Sequence, residues 1–251
     1  NGPMKSGINP GDPITGSHAA GVLMAALRHR RRTGKGMYID VSQQESAVAL
    51  MGPEVLAYQM TGEEPERRGN RSGWYAPANS YPCAGEDRWV TIAATNEEQW
   101  QRLTQAMSAA GLADDPHFAT AEQRRENHDE LDRIISEWTI SQEAYAVIHL
   151  LQAAGVPAGP VLRGPDLLAD AHYKDRGTFV TVDHPQVGPK QYPGIPWRMS
   201  ATPGRVRWPS PTLGQHNRDV YGELLGLTGP EIDLLEKTGT IGTKPTGSRI
   251  I

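Results

Sequence analysis

One aspartate is placed where a carboxylate can do chemistry. Asp12 lies between Gly11 and Pro13, in a Pro-Gly-Asp-Pro turn (10–13) just ahead of a predicted helix start. There a carboxylate meets unpaired backbone N–H groups and the positive end of the helix dipole, which favour its negative charge. Gly11 has no side chain and leaves room for a substrate to approach the backbone. A carboxylate so placed can attack an activated acyl group and form a mixed anhydride. The same pattern also suits an ordinary turn or capping aspartate, and the residues alone leave both readings open.

Other reactive side chains offer less. His18 reads as about one helical turn beyond Asp12, where it can face the same site or simply pack or cap. The eight histidines form no His-x-x-x-His or Glu-x-x-His cluster, so no metal site is expected. Cys83 follows Pro82 and has no His or basic neighbour in sequence, which argues against a nucleophilic role. As the single cysteine it excludes an intrachain disulfide framework and fits a reducing, cytoplasmic setting. Arg28–Lys35 carries five positive charges, able to hold phosphates or to serve as a solvated helix end. Neither a Gly-x-Ser-x-Gly elbow nor a Gly-rich phosphate loop occurs.

The elements that must position these residues follow from periodicity. Thr15 can cap a helix to about Arg32, with Ala19, Val22, Leu23, Ala26 and Leu27 on one stripe and Gly34 and Gly36 as its stop. Met37–Val41 predicts a short strand. Ser42-Gln-Gln-Glu45 forms a capping box for a helix to about Met60. Residues 61–87 are polar and rich in Gly, Pro and Arg. Trp89–Ala94 predicts a strand, Thr95-Asn-Glu-Glu98 a second capping box, and a helix then runs to about Ala110. Helices are expected near 120–138 and 142–154, the latter closed by Gly155. Residues 157–160 predict a turn, Val161 the start of a strand, and Asp166–Ala171 a helical turn or two. Thr178–Val182 predicts a strand, 185–216 extended loops, and 217–225 and 230–237 short helices.

The expected class is α/β. Residues 1–62 form a helix–strand–helix part of a large domain, and 63–87 a linker or active-site loop. Residues 88–182 form a small α+β domain, 183–237 a Pro-rich return segment, and 238–251 a flexible tail.

Composition narrows the function. The 251 residues carry 25 Lys and Arg against 29 Asp and Glu, a net charge of −4, which argues against general nucleic-acid binding. Apolar residues make up 37%, below the usual share of about 45–50%. With 27 Gly, 20 Pro and six Trp beside two Phe, the core is expected to be modest and part of the burial to come from a partner chain. No apolar run approaches the roughly 18 residues of a membrane span, and no membrane partner is expected. No signal peptide is visible, and the chain opens at Asn1 rather than at Met.

Several segments, in order, resemble the class III CoA-transferase family (CaiB/BaiF). They are Gly11-Asp-Pro-Ile-Thr-Gly-Ser-His18, Leu27–Gly36, Tyr38–Ser42, Arg68-Gly-Asn70 and Tyr81-Pro-Cys83. Gly155–Val161, Asp183-His-Pro185 and Pro211-Thr-Leu-Gly-Gln-His216 follow. The resemblance covers roughly residues 8–227 and implies that Asp12 is the nucleophile of a CoA-transferase. Asp12 attacks an acyl-CoA to give an aspartyl–acyl anhydride. The released thiolate converts it to an aspartyl-CoA thioester, and an acceptor acid then takes the CoA. The resemblance implies no cofactor beyond coenzyme A as substrate, and a site closed to water. Racemases of 2-methylacyl-CoA belong to the same family and use the matching aspartate as an acid or base.

Eleven residues precede Asp12, whereas the family carries a nucleotide-fold half ahead of it. That half is expected from the rest of a longer chain or from a companion chain. The family fold is an interlocked homodimer, and an inactive oligomerisation module is a further reading. Arg71-Ser-Gly-Trp-Tyr75 aligns with a loop that is glycine-rich in formyl-CoA transferases and here holds one glycine, which argues against formyl or oxalyl specificity. Gly73 can offer its N–H to an oxyanion, and Trp74 and Tyr75 can wall an acyl pocket. Alternatively they anchor a plain linker.

Overall fold

Helix α1 runs Gly11–Thr33, five residues earlier than a Thr15 cap predicts. Pro10 precedes it, and no side chain caps it. Pro13 falls in the first turn, where a missing N–H does no harm. Gly34 closes the helix as expected, with φ 73° and its N–H on the Arg30 carbonyl (2.8 Å). In this computed structural model residues 7, 9–64 and 66–245 are described. Their contacts divide into two units, Asn1–Val161 and Leu162–Ile251.

Two expectations fail just after α1. Met37–Val41 forms no strand. The helix expected to reach Met60 is two helices, α2 (Gln43–Ala49) and α3 (Gly52–Thr61). Gly52-Pro53 explains the break: proline cannot donate to the preceding turn and opens a new helix instead. Ser42 does cap α2, its hydroxyl accepting from Glu45 N–H (3.2 Å). Helix α1 packs against α2, yet none of its 23 residues is buried.

The core lies in residues 76–156. Strands β1 (Ala78–Pro82), β2 (Trp89–Ala93) and β3 (Ala158–Pro160) form an antiparallel sheet in that order. Strand β1 sits in the stretch read as a linker, because its Asn, Ser and Pro weaken the strand signal. Val161 follows β3 rather than opening it. Helices α4 (Glu97–Ala106), α5 (Gly111–Asp114), α6 (Ala121–Glu126), α7 (His128–Thr139) and α8 (Ala144–Ala153) complete this part. Asn96, one residue inside the predicted box, caps α4 by accepting from Gln99 N–H (2.9 Å). Leu131 and Ile135 on α7, Val147 and Leu151 on α8, and Val90 and Ile92 on β2 are all buried. Each such side chain stabilises the fold by about 1.5–3 kcal/mol.

The second unit holds short helices α9 (Gly164–Ala169) and α10 (Ala171–Arg176), then a hairpin of β4 (Phe179–His184) and β5 (Gly188–Pro193). Strand β5 lies where loops were expected. A π-helical turn (Asp219–Leu224) and α11 (Gly229–Lys237) follow. The expected tail begins by turning back, with the N–H groups of Thr240 and Ile241 on the Leu235 carbonyl (3.0 and 3.3 Å). Residues 246–251 of that tail lie outside the described residues. Among the described residues no helix is long and apolar enough to cross a membrane.

Candidate active site

Asp12 occupies the second position of α1 rather than a turn ahead of it. Its carboxylate is exposed and sits in the first turn, where backbone N–H groups lack helical partners. Gln43, the first residue of α2, donates its side-chain amide to Asp12 Oδ1 (2.5 Å). The room over Gly11 is therefore not empty. A Cβ there would lie 3.0 Å from Gln43 Nε2 and 3.2 Å from its Cγ, so the glycine makes space for glutamine rather than for substrate. Sequence reading saw Gln43 only as part of a capping box. Nothing in the local pattern marks it, because its contact with Asp12 depends on the packing of α1 against α2.

His18 is exposed, six positions further along the same helix. At about 100° per residue this places it some 120° around the axis from Asp12, on a different face. Thr15, one turn past Asp12, has a hydroxyl shielded from solvent without a partner. Arg30, Arg31 and Arg32 end α1 in solvent.

Gly73, Trp74 and Tyr75 differ in how they are held. Arg125 on α6 donates to the Gly73 carbonyl (2.7 Å). Arg71, just ahead, is held by Asp129 and Asp132 on α7. Trp74, just beyond both clamps, is 86% exposed and is not anchored on the core. Tyr75 lines an open cleft of about 590 Å³ on the uncovered face of the sheet, with Asn70, Ser80, Thr91 and Gly159.

Beneath this loop lies a polar network that sequence reading missed. Asp132 accepts from Arg71, from Asn79 Nδ2 (2.9 Å) and from Tyr81 OH (2.8 Å). Burial pushes the Tyr81 phenol far up, and the Asp132 charge adds to the shift. The neutral phenol is the donor in its bond to Asp132. Burial also lowers the pKa of His128, whose Nε2 is 3.9 Å from Asp132 Oδ1 and has no hydrogen-bond partner. Cys83 is buried, and burial followed by the Glu143 charge raises its thiol pKa, which agrees with a non-nucleophilic cysteine. In the second unit, two segments of the family pattern meet. His184 shares a hollow of about 640 Å³ with Pro211, Thr212, Leu213 and Gln215.

Residues 1–217 match the model of CoA-transferase family III. The chain belongs to that family. Among curated relatives of this family III chain is a succinyl-CoA–D-citramalate CoA-transferase of Chloroflexus aurantiacus, 38% identical over 93% of this chain and 58% of the relative. Another is a formyl-CoA:oxalate CoA-transferase of Streptomyces avermitilis, 32% identical over 95% and 62%. A succinyl-CoA:mesaconate CoA-transferase of Haloarcula hispanica is 33% identical over 88% and 55%. The crystal structure of a CaiB/BaiF family protein from Brucella suis superposes with a TM-score of 0.76 at 30% identity, over 89% of this chain and 57% of that one. The family III chain thus spans less than two thirds of these relatives, and its mixed helix-and-sheet architecture matches that of the Brucella protein.

Proposed function

We propose that this chain carries the nucleophile-bearing part of a CoA-transferase that moves CoA from an acyl-CoA to a carboxylic acid. The observation that carries the reading is Asp12 itself: an exposed carboxylate on the first turn of α1, one oxygen held by Gln43. One carboxylate oxygen adds to the donor's thioester carbon, and the C–S bond breaks to leave an anhydride and CoA thiolate. The thiolate adds to the Asp12 carbonyl carbon and expels the donor acid, leaving an aspartyl-CoA thioester. An acceptor carboxylate then displaces the thiolate, which attacks the acceptor's acyl carbon and frees Asp12. CoA enters as substrate, and the cycle needs no other cofactor. Trp74 and Tyr75 wall the acyl pocket, and the acids are of the dicarboxylic class for which the Chloroflexus and Haloarcula relatives are named.

The rest of the site comes from a nucleotide-fold half, supplied by a longer chain or a companion chain, and the assembly is dimeric and cytoplasmic. Support comes from α1 to α3, where Val22, Leu23, Met24, Leu50, Leu56 and Met60 are exposed; apolar patches of this kind mark protein–protein surfaces. Hydroxylamine added to the active assembly with an acyl-CoA tests the reading. An Asp12 hydroxamate, lost in Asp12→Ala together with turnover, is expected. Solvent deuterium entering the substrate α-carbon without any hydroxamate would instead indicate a racemase.

A further inference from the structure

We propose that Gln43 is a catalytic oxyanion donor for both steps in which a nucleophile adds to the Asp12 carbonyl carbon. The inference rests on Asp12 being the nucleophile and assigns a group to chemistry that Asp12 cannot assist by itself.

The contact is specified by structure 31 residues apart in sequence. A carboxylate oxygen only accepts, so the Gln43 amide must present its NH2 to Oδ1 and its own oxygen away from it. The start of α2 is fixed. Ser42 caps it, and buried Ser46 returns its hydroxyl to the Ser42 carbonyl (2.8 Å). Gly11 completes the fit, because a side chain there would press on the Gln43 amide and methylenes.

With Oδ1 held, Oδ2 is the oxygen that attacks the donor. In the resulting anhydride Oδ2 bridges to the acyl group, and Oδ1 is the carbonyl oxygen of Asp12. When CoA thiolate adds, the S–Cγ bond forms and the carbonyl π pair moves onto Oδ1. Collapse then breaks Cγ–Oδ2 and releases the donor carboxylate. The acceptor carboxylate adds to the thioester in the same way. Charge again collects on Oδ1 before the Cγ–S bond breaks and the thiolate leaves. Both tetrahedral adducts therefore place their negative charge on the atom that Gln43 already touches. A donor set in place before charge develops lowers the barrier without reorganising. By contrast, the first attack by Oδ2 develops charge on the donor's own carbonyl oxygen, which Gln43 does not contact.

That asymmetry supplies the test. In the active assembly, Gln43→Ala is expected to lower kcat about 10²-fold with the KM for acyl-CoA little altered. On mixing with acyl-CoA without acceptor, free thiol should appear at the wild-type rate and accumulate, because anhydride formation is spared. The Asp12–CoA adduct, followed by intact mass, should form about 10²-fold more slowly. Gly11→Ala, which crowds the amide without removing it, should give a smaller loss of the same kind. Thiol release and adduct formation slowed by one common factor would overturn the proposal, as would an unaltered Gln43→Ala enzyme. Turnover surviving in Asp12→Ala would instead overturn the nucleophile on which it rests, a separately readable result.

Discussion

Arg71 donates to one oxygen of Asp132 through two nitrogens, Nε at 3.0 Å and Nη2 at 2.7 Å. The pair joins the segment ahead of Trp74 to α7, 61 residues on. Tyr81 takes the second oxygen of the same carboxylate, so one aspartate anchors both the loop and β1. The loop is thereby shaped by hydrogen bonds.

Asp132→Ala should therefore destabilise the fold by about 1–3 kcal/mol, because it strips a partner from the largely buried Tyr81 hydroxyl while Arg71, 34% exposed, keeps Asp129. Asp129 also bonds Arg71, but its side chain is 92% exposed, and Asp129→Ala should change stability by under about 1 kcal/mol. Urea unfolding followed by tryptophan fluorescence compares them. Equal losses would contradict this arrangement.

Arg124 carries a second buried charge, 1% exposed. It bonds Glu97 and the Ala76 and Phe118 carbonyls, and lies 5.0 Å from the centre of the Trp100 ring. Replacing it with Ala should remove about 3–5 kcal/mol, through lost bonds and a void. Glu97 is half exposed, so water replaces much of its role, and Glu97→Ala should lose clearly less in the same unfolding measurement.

His128 sets an acid limit. Its folded pKa lies below the ordinary value of 6.5, burial being the largest cause. Between the two values the unfolded chain binds the extra proton, so stability rises with pH across that window. The contribution is fully present above about pH 6.5 and is lost as pH falls through the folded value. His128→Gln should flatten this part of a stability-against-pH curve measured from pH 7 to 5.

Trp74→Ala should leave unfolding unchanged within about 0.5 kcal/mol, as for other exposed sites. If Trp74 walls the acyl pocket, the KM for the carboxylic acid should rise about tenfold or more. Steady-state kinetics with two acids of different length checks this. An unchanged KM for both would return Trp74 to the status of a surface residue.

Local chemistry explains what could be read from the chain alone. The Ser42 cap, the glycine stops at Gly34 and Gly155, the strand at Trp89 and the helices α4, α7 and α8 all depend on neighbours a few positions away, whereas the short α5 and the break between α6 and α7 were not read. The family pattern around Asp12 was legible for the same reason, being contiguous. Tertiary structure decided everything that joins distant residues. Asp12 meets Gln43 only because α1 and α2 pack, and Gly11 is revealed as space for an amide only once that amide is in place. Asp132 gathers Arg71, Asn79 and Tyr81 from 51 to 61 residues away. Strands β1 and β5 exist because partners complete their ladders, while Met37–Val41 finds none. A hydrogen bond across such separations leaves no periodic trace in sequence, since its partners are set by packing rather than by spacing along the chain.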